Sequence, residues 1–436
     1  MKITIIGAGS YVFTRNLLTD FLTFPSLRDA DFWLEDIEPD RLTVMAALAN
    51  RMVSQEQCGA HIHTTTDLRA ALDGADYVFS TVRVGDTRSN LEIPARYGVS
   101  LAVADTTGAG AAFYFLRNAP VILEVARTME EVCPEALLLN YTNPMGMLCW
   151  AVSLQSKIRS VGLCHSVQGT AMTLASYIGA PYEEVSYWVA GLNHMAWFLS
   201  FRWNGQDAYP LLWKAMEDPE VYARDRVRWD LMRYFGAFVS ESSTHSSEYH
   251  PYFRRTPELI ERYLGLAIGG PGQPSYLEHL RASQARSAER RAAREEENRL
   301  LAYGSAPIPI VRGREYGSCI LNAIETNTPF LFSGNVVNDG LITNLLPGSI
   351  VEVPVLANDT GLHPLHVGDL PPALAALNRT ALSCQELAVR GLLEGKREYI
   401  YQAAQLDPLV AAQLPLDQIR AMVDELFESD ALYITI

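Results

Sequence analysis

The N-terminus constrains the fold most. Residues 2–6, Lys-Ile-Thr-Ile-Ile, read as a strand, Gly7-Ala-Gly9-Ser10 as a turn, and Tyr11 to Thr23 as a helix. Strand, glycine turn and helix in that order open a dinucleotide-binding unit, since glycines let the backbone approach a pyrophosphate held at the helix N-terminus. The fingerprint is incomplete, because Val12 stands at its third glycine position, and a Gly-x-Gly alone can be only a tight turn. The next strand, Asp31-Phe-Trp-Leu-Glu-Asp36, ends in a carboxylate. Asp36 can accept from both ribose hydroxyls of an adenosine, which favours NAD over NADP. The alternative is a helix N-cap ahead of Pro39.

The alternation continues. Arg41 to Gln57 reads as a helix, Ala75 to Val82 as an apolar strand leading into Arg83, and Pro120 to Val132 as a helix. Ala136 to Asn140 and Ile158 to Cys164 read as further strands. Helices alternating with apolar strands predict a doubly wound parallel sheet, with ligands at the carboxyl ends of its strands. Gly7, Asp36, Arg83, Asn140, Asn143, Cys164 and His165 all follow strands, so they are expected along one edge.

Two stretches thirty residues apart carry candidate metal ligands, Val161-Gly-Leu-Cys164-His165 and Ala190-Gly-Leu-Asn-His194. A thiolate and an imidazole suit a borderline divalent metal, and two ligands leave positions open for a substrate. A buried cysteine is more often a small hydrophobe, so spacing alone leaves both readings open. Beyond about residue 200 the character changes. Ser242 to Tyr252 is a polar, His-containing loop, either at a site or on the surface. Leu277 to Leu301 reads as a charged, solvated helix held by its own i,i+4 pairs. Arg314-Glu-Tyr316 opens another helix, Val351 to Val355 reads as a strand, and helices fill much of the last 60 residues.

At 436 residues with 48% hydrophobic side chains, the chain is globular and long enough for two domains. We expect a Rossmann-like NAD-binding domain at 1–195 and a substrate-binding and oligomerisation domain of α/β (α+β) type at 196–436, with the site between them. The net charge of −15 argues against nucleic acid and anionic membranes. The six cysteines follow no disulfide pattern, and the chain enters a strand at once without a signal peptide. A reducing cytoplasm is therefore expected.

The whole chain resembles the NAD- and metal-dependent glycosidases of glycoside hydrolase family four. The resemblance rests on Gly7-Ala-Gly-Ser10, Asp105-Thr-Thr-Gly108, Asn140-Tyr-Thr-Asn-Pro-Met145, Gly162-Leu-Cys-His-Ser-Val-Gln-Gly169 and Gly191-Leu-Asn-His194. It continues through Glu241-Ser-Ser-Thr-His245, Glu248-Tyr249, Arg314-Glu-Tyr316, Asn335 to Gly340 and Asp407-Pro408. Cys-His-Ser-Val is similar to the α-galactosidase, melibiase-type branch, and an α-galacturonidase or α-glucosidase is the alternative within the family. Asp105-Thr-Thr-Gly-Ala-Gly110 departs from the Gly-Pro-Gly-Gly of many relatives.

The resemblance implies a fold like lactate and malate dehydrogenases and a mechanism unlike that of two-carboxylate glycosidases. NAD takes a hydride from sugar C3, a base removes the acidified C2 hydrogen, the C1 group leaves, water adds, and the hydride returns. A divalent metal, Mn2+ by family expectation, polarises the oxygens at C2 and C3. Cys164 and His194 become its ligands, while Gly7, Gly9, Ser10, Asp36, Arg83 and Asn140 hold NAD. His165 protonates the leaving oxygen or hydrogen-bonds from behind. His245 and Tyr249 are candidates for the C2 base, or only hydrogen-bond the sugar. Asn143 and Arg314 bind substrate, and Asp105 binds sugar, assists the metal or caps the backbone. The partner is a small sugar, and the enzyme is expected to be a homo-oligomer, dimer or tetramer. A dehydrogenase of lactate or malate type and a non-catalytic NAD sensor are the rivals; neither needs a thiolate–imidazole metal site.

Overall fold

The computed structural model describes residues 1–86, 88–313 and 315–436; Arg314, expected to bind substrate, lies outside the described residues. The described strands are β1 (Lys2–Ile6), β2 (Asp31–Glu35), β3 (His61–Thr65), β4 (Tyr77–Ser80), β5 (Leu137–Asn140), β6 (Arg159–Gly162) and β7 (Val185–Leu192). They continue with β8 (Met195–Trp203), β9 (Gln206–Asp207), β10 (Phe238–Val239), β11 (Phe330–Val337), β12 (Ile350–Asn358) and β13 (Gly361–Pro364). Strands β3-β2-β1-β4-β5-β6 lie side by side and parallel, the strand order of the doubly wound nucleotide fold. The apolar runs of β1, β4 and β5 are buried on both faces, as covering helices require; β1 and β4 are lined by Ile3, Ile5, Val78 and Phe79 at 0% exposure.

The sheet does not end at β6. It runs on as β11-β12-β7-β8-β10, all antiparallel. β6 meets β11 at one residue pair, Gly162 with Asn335, and β12 meets β7 at one pair, Glu352 with Gly191. A side chain at Gly162 would come within 2.5 Å of Met145 Sδ and 2.9 Å of Cys149 Sγ. Glycine at 162 thus lets the two halves join.

The expected alternation holds, with local differences. The helix expected from Pro120 begins at Gly108 and runs to Val132, with Pro120 inside it. It is buried at nearly every residue from Ala109 to Ala119, so packing outweighs the backbone hydrogen bond that proline removes. The polar stretch expected as a loop folds into the Ser243–Tyr249 helix, capped by Ser242 Oγ, which accepts from His245 N–H at 3.3 Å. His245 to Tyr249 are all buried; their polarity is satisfied inside the protein. β3, β8 to β11 and β13 escaped the sequence reading, the first because its residues are half-exposed and mostly polar.

The charged helix spans Tyr276–Tyr303. Its acids reach another element: Glu295 pairs with Arg41 at 2.7 Å and Glu297 with Arg15 at 2.9 Å. Those arginines flank the glycine turn, so the helix is strapped to the nucleotide half rather than held only by its own pairs. A division at 195/196 would cut the β7–β8 hairpin, whose pairing runs from Leu192–Met195 to Val185–Trp203. That hairpin carries His194 in its two-residue turn. Gly191, at φ 152°, comes so close to Met195 that a Cβ would lie 2.5 Å from its carbonyl oxygen. Gly191→Ala is therefore expected to lower stability by roughly 2–4 kcal/mol, read as a shift in urea midpoint at unchanged slope.

Candidate active site

The glycine turn closes against two strand ends. Gly7 N–H and Ala8 N–H donate to Glu35 O at 3.0 and 2.8 Å. Gly7 has φ 80°, and a Cβ there would meet the Thr81 backbone at 3.0 Å. Gly9 N–H donates to Asp36 Oδ2 at 2.8 Å, and Glu38 N–H to Asp36 Oδ1 at 2.9 Å. The half-buried Asp36 carboxylate thus folds back over the turn, while the following helix takes Glu38 as its N-cap without a side-chain bond. Ser10 closes the turn through its N–H to Gly7 O at 3.1 Å. Val12, at the missing-glycine position, is 39% exposed.

Cys164 follows β6 and His194 follows β7. Both β6 and β7 abut the inserted β11–β12 pair, and this brings Cys164 Sγ within 3.2 Å of His194 Nε2. Glu241 joins them, with a carboxylate oxygen 3.6 Å from the same nitrogen. The three donors lie within 4.8 Å of one another, a soft, a borderline and a hard ligand around one point, which suits a divalent transition metal. His194 has φ 63° and Glu241 φ 74°. Non-glycine residues in the left-handed region are uncommon and strained, and they gather at functional sites.

Behind His194 runs a buried polar chain. His194 Nδ1 is 2.8 Å from His245 Nε2, and His245 Nδ1 is 2.8 Å from Glu248 Oε2. Thr106 Oγ stands among them, 3.1 Å from His194 Nδ1, 2.9 Å from His245 Nε2 and 2.6 Å from the Tyr249 hydroxyl. Glu248 also accepts from the backbone N–H groups of Ala102 and Val103, fixing the loop that carries Asp105. Asp105 Oδ1 is 3.4 Å from His245 Nε2, and Asp105 Oδ2 accepts from Asn143 Nδ2 at 3.1 Å. The Gly108 turn is held by the buried Asp407 carboxylate, which takes the Gly108 N–H at 3.0 Å.

The charges are tuned by this packing. Burial pushes the Cys164 thiol up, but the His194 imidazolium beside it prevails and brings it down to about 7. Burial lowers His194, yet the Cys164 thiolate and the nearby Glu241 and Asp105 raise it well above an ordinary imidazole. His245 is likewise raised: burial opposes its charge, and the bond to Glu248 overrides that. His165 stands at the cavity mouth with Nε2 2.6 Å from Glu315 Oε1. Burial lowers it, and Glu315 more than compensates, so its imidazolium persists above the usual range.

One cavity of about 500 Å3 takes in Asp105, Asn143, Cys164, His165, His194 and His245. Tyr249 lies behind Thr106 and is 4% exposed. Asn140 is turned inward. Its amide serves its own turn, donating to Thr142 O at 3.0 Å and accepting from Thr142 N–H at 3.2 Å. Asn140 thus stands at the strand exit expected of a cofactor residue, with its side chain bonded into this turn. The exposed Arg83 lines a different cleft, beside Arg88 and Arg281. Sequence reasoning assigned no role to Thr106, Glu241, Glu248 or Arg228. For Glu241 a signal existed, a carboxylate four residues before His245; Thr106 offers none.

A dinucleotide fold with a thiolate–imidazole–carboxylate cluster at its strand exits defines a class in which a metal can sit beside a nucleotide. Residues 2–180 match Family 4 glycosyl hydrolase, and residues 189–410 match the Family 4 glycosyl hydrolase C-terminal domain. An α-galactosidase of Bacillus subtilis (strain 168) is 39% identical over 433 residues, covering 98% of this chain and 97% of its own. The chain belongs to the family 4 glycosyl hydrolases. A 6-phospho-α-glucosidase from gut microorganisms, solved in complex with NAD and Mn2+, superposes with TM-score 0.83 at 20% identity over 99% of this chain and 98% of that one. A malate dehydrogenase from Plasmodium falciparum superposes at TM-score 0.55 and 13% identity over 92% and 99%, and so shares the fold.

Alkylation by iodoacetamide reads the thiolate directly. In metal-free protein the Cys164 rate, followed by peptide mass spectrometry, is expected to rise with an apparent pKa of about 7, since only the thiolate reacts. A divalent cation should suppress it, and Cys164→Ser should weaken cation binding by about tenfold or more. A Cys164 rate that rises only near 9, or is unmoved by cation, would remove this thiolate from the site.

Proposed function

We propose that the protein hydrolyses α-galactosides, using NAD and a divalent metal, Mn2+ first among candidates, through oxidation at C3, deprotonation at C2, elimination of the C1 group, addition of water and re-reduction. The observation that carries this reading is the Cys164–His194–Glu241 cluster at the exits of a nucleotide-binding sheet. Hydrolysis by displacement needs only paired carboxylates, and a plain dehydrogenase needs no thiolate metal site. The α-galactosidase relative and the Cys164-His-Ser-Val167 segment support the galactoside. When bound, NAD supplies a hydride acceptor and the metal supplies a Lewis acid for the oxygens at C2 and C3.

The chain's own residues then take these tasks. Gly7, Gly9 and Ser10 present backbone to the pyrophosphate, and Asp36 accepts from the ribose. Cys164, His194 through Nε2, and Glu241 hold the metal. Asn143 and Asp105, bonded to each other, face the sugar hydroxyls. His165, kept protonated by Glu315, gives its proton to the leaving oxygen. Tyr249 and His245 share Thr106 as a common partner, so as the phenol oxygen takes the C2 hydrogen its own proton can pass to Thr106 Oγ and the Thr106 proton to an unprotonated His245 Nε2, whose far nitrogen is backed by Glu248. Tyr249 cannot act as a free phenolate unaided, because burial holds its hydroxyl well above the usual range. Asn140 serves indirectly, by shaping the turn on which Asn143 stands. The reactive Cys164 fits a reducing cytoplasm, and sedimentation will determine whether the chain forms a dimer or a tetramer.

Turnover in deuterium oxide tests the mechanism. Deuterium is expected at C2 of the released sugar, and substrate deuterated at C3 is expected to show a primary isotope effect. Displacement through an oxocarbenium ion gives neither. Tyr249→Phe and His245→Ala are expected to lose C2 exchange while still binding metal. Ordinary hydrogen at C2 at full activity, or NADH released in proportion to product, rejects the reading.

Asp36→Ala is expected to raise the NAD dissociation constant about 10- to 100-fold, the loss of a charged hydrogen bond of about 1.5–3 kcal/mol. Fluorescence titration measures it. An unchanged constant would leave Asp36 only its bonds to Gly9 and Glu38.

A further inference from the structure

The wall of the cavity holds an ion pair that none of these steps uses. Arg228, on the Arg226–Phe235 helix, lines the cavity beside Thr170. Its Nε donates to Asp225 Oδ1 at 2.7 Å, Nη2 donates to Asp225 Oδ2, and Nη1 donates to Thr170 Oγ at 2.8 Å. Asp225 is 3% exposed and accepts further bonds from Ser243 Oγ at 2.6 Å and the Tyr177 hydroxyl at 3.0 Å. The carboxylate is thus held from four sides, and the guanidinium is gripped in the planar fork that this pairing favours.

A buried arginine beside a ligand cavity ordinarily recruits an anion. Here its counter-charge is built in. Three of its five N–H groups are spent, and those left can donate to a hydroxyl without presenting net charge. Asp105 and the Asn143 bonded to it, which line the same cavity, add negative charge and no cation. A sugar carboxylate or phosphate would meet them together with a guanidinium already neutralised, an arrangement that rejects anions as well as accepting hydroxyls.

We propose that Asp225 sets the substrate class, as a positioning residue acting through Arg228: it makes this wall a hydrogen-bond donor to uncharged glycosides and denies uronates and sugar phosphates a cationic partner. The inference rests on reading the cavity as a sugar site. With NAD and Mn2+ present, calorimetry on the wild type is expected to show galacturonate binding at least tenfold more weakly than galactose. The kcat/KM ratio of aryl α-galacturonide to aryl α-galactoside is expected to rise at least tenfold in Asp225→Asn and to fall back in Asp225→Asn/Arg228→Gln. Galacturonate bound as tightly as galactose by the wild type overturns the proposal, whether or not Asp225→Asn folds. So does an unchanged ratio in folded Asp225→Asn, or a gain that survives in the double variant. If neutral glucosides turn over and galactosides do not, the galactoside reading falls while this one stands.

Discussion

The site depends on how the antiparallel half is inserted into the parallel one. β6 and β7 are close in sequence but not neighbours in the sheet, because β11 and β12 lie between them. Each outer contact is a single residue pair, made at Gly162 and at Gly191. Were β6 and β7 joined directly, Cys164 and His194 would belong to adjacent strand ends of one ladder. With a wedge two strands wide, the exits converge on a cavity instead. Both glycines are crowded by atoms that cannot move freely, sulfur atoms of a packed helix at one and a backbone carbonyl at the other. The placement of Cys164 and His194 is therefore set by backbone packing rather than by their own side chains, the pre-organisation that a competent site needs.

Strain marks the same place. Of the six described non-glycine residues with positive φ, Ala104, His194 and Glu241 belong to the site. At about 1–3 kcal/mol each, such conformations persist only where surrounding bonds over-determine them. Glu248 is one such determinant: it is fully buried, gathers the 102–103 amides and binds His245 with its other oxygen. Burial pushes its carboxyl up, and the His245 bond more than offsets this, holding it below its ordinary value. One charge thereby orders the Asp105 loop and orients the histidine chain.

The parallel half was legible because its signal is local. Apolar runs, a glycine turn and alternating helices predict β1, β2 and β4 to β6, and strand exits predict an edge that gathers Cys164 and Asn143. The antiparallel half was legible only in part: Val351 to Val355 reads as a strand, but the helix that completes the site is buried by polar side chains. Ser242 to Tyr249 looks like a surface loop by composition, and only tertiary partners reveal that His245, Glu248 and Tyr249 are interior. Asn140 stands at a strand exit as expected, but the direction of its side chain, into its own turn, is not readable from position. The charged Tyr276–Tyr303 helix misleads for a related reason, since its glutamates pair with Arg15 and Arg41 more than 250 residues away in sequence.

His194 joins the two halves of the proposed chemistry. Its Nε2 faces Cys164 and Glu241, and its Nδ1 faces His245 and Thr106. An imidazole that gives Nε2 to a metal carries its proton on Nδ1. That proton then points to His245 Nε2, and His245 must carry its own on Nδ1, toward Glu248. A metal at that position would fix both tautomers at once and would leave the Thr106 hydroxyl between Tyr249 and His245 Nε2, the ring nitrogen still able to accept. The arrangement ties the proton path to the presence of the ligand that acidifies the substrate. On the proposed mechanism the chain would be assembled for C2 deprotonation only in the state in which that step can be useful.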